Sequence, residues 1–388
     1  MKKESLRNAI TRTASLLPLR KRVLLESNPD LSCNVYPVFQ ELLSRDAFHN
    51  AKLTWLVKEP ALWREAYPQK NVSFVAYHPD NAAERARAIF LSLTSRCVLF
   101  CNKTLWSPRK GQLCLFLGHG TPIKSCKGFY TPGPFCNLWS CPSEPLRQIM
   151  VQELGLKPEQ GQLLGYPRCD ALLHPRGLLD KIIPREGKKV LFWLPTFRQH
   201  SKAYDNNYAL SGCGLPLLED ANALERLNAA LEKAGVLLVL KPHPMQDMRV
   251  IRAGNLSAFR LIYDDDLRRA NVQLYEALAD ADGLLTDYSS VYCDFLLTGK
   301  PIGLTFDDLD TYREKRGLVM EDITQVVKGR YLYTLDDLIA FLHDLAAGND
   351  PEREARQVAC DYYNFRQDDR SACRVADAIQ AYFEKGEM

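Results

Sequence analysis

No stretch of this 388-residue chain approaches the run of about 20 apolar residues that spans a bilayer, so any membrane contact is expected to be peripheral. No secretory signal with a cleavage site is read at the start. The 12 cysteines are scattered, many of them inside apolar runs, which points to a reducing cytoplasm and not to a disulfide framework. Cys97 and Cys101 flank one apolar run, and Cys136 and Cys141 sit in a proline-rich loop. Neither pair has the second pair or the histidine spacing of a zinc site, so no metal and no cofactor are expected. Charge of one sign is also missing: 50 Lys and Arg against 47 Asp and Glu give a net charge of +3, which argues against a nucleic-acid partner. Internal repeats and low-complexity tracts are absent.

What is present is an ordinary globular composition, 46% hydrophobic and 25% charged, in a chain long enough for two domains. Short apolar runs alternate with helix-compatible segments. Arg22–Ser27 reads as a strand ending in the turn Asn28-Pro29-Asp30, followed by a helix over 35–43; strands at 53–57, 72–75 and 97–101 and a helix at 82–92 continue the pattern. A charged stretch at 184–189 then precedes a second series: strands at 190–194, 236–241, 260–263 and 283–286, with helices at 216–234 and 271–279. Alternation of this kind predicts parallel sheets with helices on both faces, hence an α/β fold of two doubly wound domains facing one another across a cleft. The expected limits are 1–20 for a basic amphipathic N-terminal segment, 21–183 and 188–350 for the two domains, and 351–388 for C-terminal helices that cross back. In the first segment Leu6, Ile10, Ala14, Leu16 and Leu17 are interleaved with Lys2, Lys3, Arg7, Arg12, Arg20, Lys21 and Arg22. That pattern suits an anionic membrane surface or an arm packed on its own domain.

In such sheets ligands bind beyond the carboxyl ends of strands, and that is where this chain keeps its histidines and hydroxyls. Leu284-Leu285 runs into Thr286-Asp287-Tyr288-Ser289-Ser290, which places hydroxyls beside the first N–H groups of the next helix; alone, Thr286 or Ser289 is equally a helix cap. Leu113–Leu117 ends in Gly118-His119-Gly120-Thr121-Pro122-Ile123-Lys124. His119 between two glycines suits a general base, or a plain loop. Lys241-Pro242-His243-Pro244 follows another strand, and its prolines stiffen an imidazole placed to contact a phosphate oxygen. Pro195-Thr196-Phe197-Arg198 ends a third strand. Asp307 to Leu318, with Arg316, adds mixed charges after a fourth, a run that by itself also reads as a solvated face.

Taken in order, these pieces resemble the CDP-glycerol glycerophosphotransferase family. The resemblance rests on His119-Gly120-Thr121-Pro122 with Lys124, Gly165-Tyr166-Pro167-Arg168-Cys169-Asp170, Pro195-Thr196-Phe197-Arg198, Lys241-Pro242-His243-Pro244, Thr286 to Ser290, and Tyr312-Arg313 through Arg316-Gly317. It implies a GT-B type fold, no catalytic metal, a CDP-alcohol donor on the C-terminal domain and an acceptor side on the N-terminal one. By resemblance His119 and His243 are catalytic. Thr196, Arg198, Lys241, Thr286, Asp287, Ser289, Ser290 and Arg316 bind donor, and Gly120, Thr121, Lys124 and Arg168 bind acceptor.

The implied reaction moves glycerol phosphate from CDP-glycerol to a hydroxyl of a lipid-linked or glycan acceptor, releasing CMP, in bacterial teichoic acid or capsular polysaccharide synthesis. The expected location is cytoplasmic, peripheral at the inner face of the cell membrane. Lys241 and Cys169 depart from the arginine and asparagine common in the family, and lysine loses the bidentate fork. The shortness of the chain favours single addition over processive polymerisation. CDP-ribitol as donor, a nucleotide-sugar glycosyltransferase and a non-catalytic assembly factor are the competing readings.

Overall fold

The computed structural model describes residues 10, 11, 13, 14, 16–102, 104–128, 130–198, 214–243, 246 and 256–385. Residues 1–9 of the amphipathic segment and Pro244 of the second histidine motif lie outside the described residues. The chain divides into two compact units. One contains the chain up to His119, Cys126–Asp170 and the part from Phe365 onward; the other contains Gly120–Ser125 and Ala171–Asn364.

The first unit is built on seven parallel strands: β1 (Arg20–Glu26), β2 (Lys52–Val57), β3 (Val72–Ala76), β4 (Ser95–Phe100), β5 (Leu113–Phe116), β6 (Leu138–Ser140) and β7 (Gly161–Gln162). Their spatial order is β3-β2-β1-β4-β5-β6-β7. The strands are apolar on both faces because both faces are covered. Val23 and Leu25, Cys97 and Leu99, and Leu113 and Leu115 pack with Val35, Phe39 and Leu42 of one helix and Val375, Ile379 and Phe383 of the last. Their neighbours in sequence, Leu24, Val98, Phe100, Cys114 and Phe116, turn to the opposite cluster with Leu91, Met150 and Leu154. Each such fully buried aliphatic or aromatic side chain contributes roughly 1.5–3 kcal/mol.

The second unit repeats the plan with six parallel strands: β8 (Lys189–Leu194), β9 (Val236–Leu240), β10 (Phe259–Leu261), β11 (Gly283–Thr286), β12 (Ile302–Thr305) and β13 (Arg330–Leu332). Their order is β10-β9-β8-β11-β12-β13. One face packs Leu191, Trp193, Leu238 and Leu240 against Leu224, Leu227 and Leu231 of the helix Ala221–Ala234 and against Leu338, Leu342 and Leu345 of the helix Leu335–Ala347. Asp220 caps the first of these helices through the N–H of Ala223, at 2.7 Å, and Gly235 ends it at φ 63°, a left-handed turn that favours glycine. Both sheets run outward in two directions from their first strand, so the winding reverses between β1 and β4 and between β8 and β11. Ligands of doubly wound sheets bind at the strand carboxyl ends beside that reversal.

Two limits differ from those read in the sequence. The change of unit falls at Asp170–Ala171, not at 183–188, because Asp280 claims the intervening segment. Its carboxylate accepts the N–H groups of Arg176, Gly177 and Leu179 at 2.9, 2.8 and 2.9 Å. The C-terminal region is also split. The helix Arg353–Tyr363 stays with the second unit, and only Ser371–Lys385 belongs to the first, where Asp170 accepts the N–H groups of Ser371 and Ala372 at 3.0 and 2.8 Å. At the other end of the chain, Ala14 packs with Leu93 and Trp106, whereas Leu16 and Leu17 are exposed. No helix among the described residues is long and apolar enough to cross a membrane.

Replacing Asp280 removes the shared acceptor from three backbone N–H groups, that of Leu179 buried and those of Arg176 and Gly177 partly so. Asp280→Ala is expected to lower unfolding free energy by about 3 kcal/mol, measured by denaturant titration, with 176–183 becoming the first segment to exchange its amide hydrogens.

Candidate functional site at the strand ends

Four motifs of the second unit meet because β9, β8, β11 and β12 are adjacent and in register, Trp193 beside Leu240, Leu194 beside Thr286 and Thr286 beside Leu304. The residues that follow each strand therefore emerge side by side. Arg198, only 2% exposed, sits at the centre of this edge. It pairs with Asp287 at 2.5 Å and with Asp308 through Nε at 2.7 Å and Nη2 at 3.0 Å, and donates to the carbonyl of Thr196 at 2.9 Å. Its guanidinium lies 5.1 Å from the ring centre of Tyr288 and 4.9 Å from that of Tyr312. The two rings stack on each other at 3.9 Å, and the Tyr288 hydroxyl donates to Asp308 at 2.9 Å. Burial, reinforced by the Asp308 carboxylate, pushes the Tyr288 phenol far above its usual range and keeps that donor protonated.

This arrangement gives several residues of the sequence reading a supporting place. Thr286 is fully buried and donates to the carbonyl of Leu194 at 2.7 Å, tying β11 to β8. Asp287, also fully buried, accepts the N–H and hydroxyl of Thr196, each at 3.0 Å, as well as Arg198. Lys241 is 5% exposed and ion-paired with Asp264 at 2.8 Å. In this structure Arg198, Asp287, Thr286 and Lys241 form a frame behind the strand ends, their polar atoms engaged with one another and with backbone.

In front of that frame stands a residue the sequence reading quoted but did not single out. The ring of Phe197 has the His243 imidazole 4.9 Å away, the Arg316 guanidinium at 4.5 Å and the Lys124 ammonium at 5.9 Å. Three of the motifs thus bring a cation or imidazole to one aromatic ring supplied by a fourth. Lys124 reaches it through an antiparallel bridge to Leu318, with Ser125 N–H on the Gly317 carbonyl at 3.1 Å and Val319 N–H on the Ile123 carbonyl at 3.0 Å. Gly120, Thr121 and Lys124 therefore belong to the same unit as Phe197, His243 and Arg316, whereas the sequence reading gave them to the N-terminal domain. Beside the cluster is a shallow hollow lined by Pro195, Thr196, Leu215, Pro242 and His243. Ser289 and Ser290, half-buried, open the short helix Val291–Phe295 directly after β11.

His119 lies in the first unit, exposed, just beyond β5. Asn34, fully buried, positions this loop: its amide donates to the carbonyls of Leu117 and Gly118 at 3.2 and 3.0 Å and its oxygen accepts the N–H of Arg168 at 3.1 Å. Arg168, 7% exposed, donates to the His119 carbonyl at 3.0 Å. Asn34 was not anticipated, since a lone asparagine beside a turn carries no signal of a partner 83 residues away. Among the described residues no group of His, Cys, Asp and Glu is arranged to hold a metal ion.

Two doubly wound parallel sheets, each with the reversal of winding beside its first strand, give the chain the architecture of the GT-B class. The family model for CDP-glycerol:poly(glycerophosphate) glycerophosphotransferases matches residues 9–381, and the chain belongs to that family. Among its relatives are a teichoic acid glycerol-phosphate primase of Bacillus subtilis, 25% identical over 71% of each chain, and a teichoic acid glycerol-phosphate transferase of Staphylococcus aureus, 25% identical over 94% of each. A teichoic acid ribitol-phosphate primase of Bacillus spizizenii is 28% identical over 58% of this chain and 54% of its own. In fold, a structure of the wall teichoic acid polymerase TagF matches with a TM-score of 0.74 at 18% identity, covering 98% of this chain and 95% of that one. A putative UDP-N-acetylglucosamine 2-epimerase from Listeria monocytogenes matches at 0.55 and 15% identity, covering 94% of this chain and 97% of its own.

The frame and the face in front of it are separable by mutation. Arg198→Met strands two buried carboxylates and is expected to cost about 3–5 kcal/mol of stability in a denaturation experiment. Phe197→Leu is expected to leave stability within about 1.5 kcal/mol of the parent while weakening CDP-glycerol binding about tenfold in calorimetry, through loss of the ring that holds the cations.

Proposed function

We propose that the enzyme transfers glycerol phosphate from CDP-glycerol to a hydroxyl of a lipid-linked or glycan acceptor, with release of CMP, in the assembly of teichoic acid or a related capsular polymer. The observation that carries this reading is the convergence of His243, Arg316 and Lys124 on Phe197, which follows β8, with the half-buried Ser289 and Ser290 following the neighbouring strand β11. A diphosphate is the ligand such a set suits: two hydroxyls donate hydrogen bonds, two permanent cations offset the charge, and an imidazole donates to an oxygen of the departing nucleotide. The frame of Arg198, Asp287, Thr286 and Lys241 holds these groups without spending its own charges on the ligand.

His119 takes the proton of the acceptor hydroxyl. Its oxygen attacks the phosphorus that bears glycerol, the bond from that phosphorus to the bridging oxygen breaks, and CMP leaves with the electron pair. Positioning and charge stabilisation supply the rate, as in other phosphoryl transfers. His119 and Lys124 are joined by only four residues of chain, so the proposed base and one phosphate cation are tethered to each other in sequence. Single addition, glycerol over ribitol, and peripheral contact of exposed Leu16 and Leu17 and the basic N-terminal residues with an anionic membrane complete the proposal.

The test is a donor panel of CDP-glycerol, CDP-ribitol and nucleotide sugars, with nucleotide release followed in the presence of acceptor. CDP-glycerol is expected to turn over fastest, and turnover of nucleotide sugars alone would refute the reading. In the same assay His119→Ala is expected to lower kcat by about 10²–10⁴-fold while CDP-glycerol still binds.

A further inference from the structure

Cys33 occupies an unusual place in the first unit. It follows Leu31 and Ser32 in a loop where both Leu31 and Cys33 hold positive φ, 48° and 56°, conformations that L residues rarely adopt outside constrained sites. The loop is pinned by the Ser27 hydroxyl, which donates to the Pro29 carbonyl at 2.8 Å and accepts the Ser32 N–H at 3.1 Å, and by Asn34 next in sequence. Strain held this firmly fixes the direction of one side chain. The Cys33 sulfur is 3.5 Å from Nδ1 of His119 and 3.3 Å from Nη1 of Arg168, and the residue as a whole is half-buried.

The geometry points to Cys33 as a reactive thiolate and a modification site for soft electrophiles, hydrogen peroxide among them. A guanidinium on the sulfur and an imidazole beside it are the surroundings that ionise a thiol and leave it nucleophilic. A hydrogen bond from the Cys101 thiol holds Cys33 well below the ordinary thiol range against the opposing effect of burial, and the Arg168 charge and a hydrogen bond with the His119 imidazole act in the same direction. Cys101, fully buried at the end of β4 near Glu26, is pushed the other way and serves as the protonated donor. The remaining cysteines with resolved shifts, Cys97, Cys114, Cys136, Cys141 and Cys360, are buried thiols raised above their usual range, which makes them poor nucleophiles.

With peroxide the step balances simply. The sulfur attacks one oxygen, an S–O bond forms as the O–O bond breaks, and hydroxide leaves and takes a proton to become water. Sulfur is oxidised by two electrons to a sulfenic acid and the peroxide is reduced. The inference does not depend on the transferase reading, because its measurement is chemical reactivity and not turnover.

An ordinary thiol is about 1% ionised at pH 6.5, so full ionisation gains about a hundredfold in thiolate. The lower basicity of such a thiolate returns roughly a factor of ten. Iodoacetamide labelling of the native protein at pH 6.5, followed at each cysteine by peptide mass spectrometry, is therefore expected to modify Cys33 about tenfold faster than the similarly half-buried Cys126 and Cys373, the latter lying 3.2 Å from an Arg45 guanidinium that is ion-paired with Glu41 and Asp377. Arg168→Gln should slow Cys33 severalfold without changing the other two, and Arg168→Lys should preserve most of the rate. Brief peroxide treatment should place a sulfenic acid, trapped by a 1,3-dione, at Cys33 first. Labelling of Cys33 no faster than Cys126 and Cys373 in the native protein, which needs no variant, overturns the inference, as does peroxide oxidation that begins at another cysteine.

Discussion

The buried pairing of Arg198 with Asp287 and Asp308 is the constraint on which the second unit's strand ends depend. Three consecutive strands of the sheet, β8, β11 and β12, deliver these residues, and one guanidinium ties all three together. Two carboxylates and a guanidinium withdrawn from water cost more in desolvation than an isolated pair repays. Here the cost is offset by the Thr196 and Tyr288 hydrogen bonds and by the two aromatic rings against the guanidinium. The consequence is positional. With Arg198 fixed, its neighbour Phe197 presents its ring to His243, Arg316 and Lys124.

The cations at the strand ends fall into two groups, one inside a charged frame and one around an aromatic ring. Lys241 and Arg198 look equivalent to Arg316 and Lys124 in the sequence. The structure separates them by partner, since the first two lie against aspartates inside the fold and the second two lie against Phe197.

Much of the fold was legible before any coordinates. The apolar runs at 22–27, 53–57, 97–101, 190–194, 236–241 and 283–286 became central strands, because strands covered on both faces need continuous hydrophobicity. The short strands β6, β7 and β13 were not read, since two or three residues carry no periodicity. The helix Leu335–Ala347 was missed although Thr334, Asp337 and Gly348 mark its ends. The unit boundary was misplaced because a charged, turn-rich stretch looks like a linker, whereas the tie that decides the matter, Asp280 to Arg176, Gly177 and Leu179, spans about a hundred residues. At the site, motif order identified the family, but which residues of each motif are buried in ion pairs depended on long-range pairing. His119 was singled out by its glycines; its neighbours Asn34 and Cys33 were not.

The most direct test of this account is a crystal structure of the chain with CDP-glycerol bound. The diphosphate is expected against Ser289 and Ser290, with His243 and Arg316 on its oxygens and Arg198 still paired with Asp287 and Asp308. A diphosphate held by the Arg198 guanidinium, or a nucleotide seated away from the carboxyl ends of β8 and β11, would contradict it.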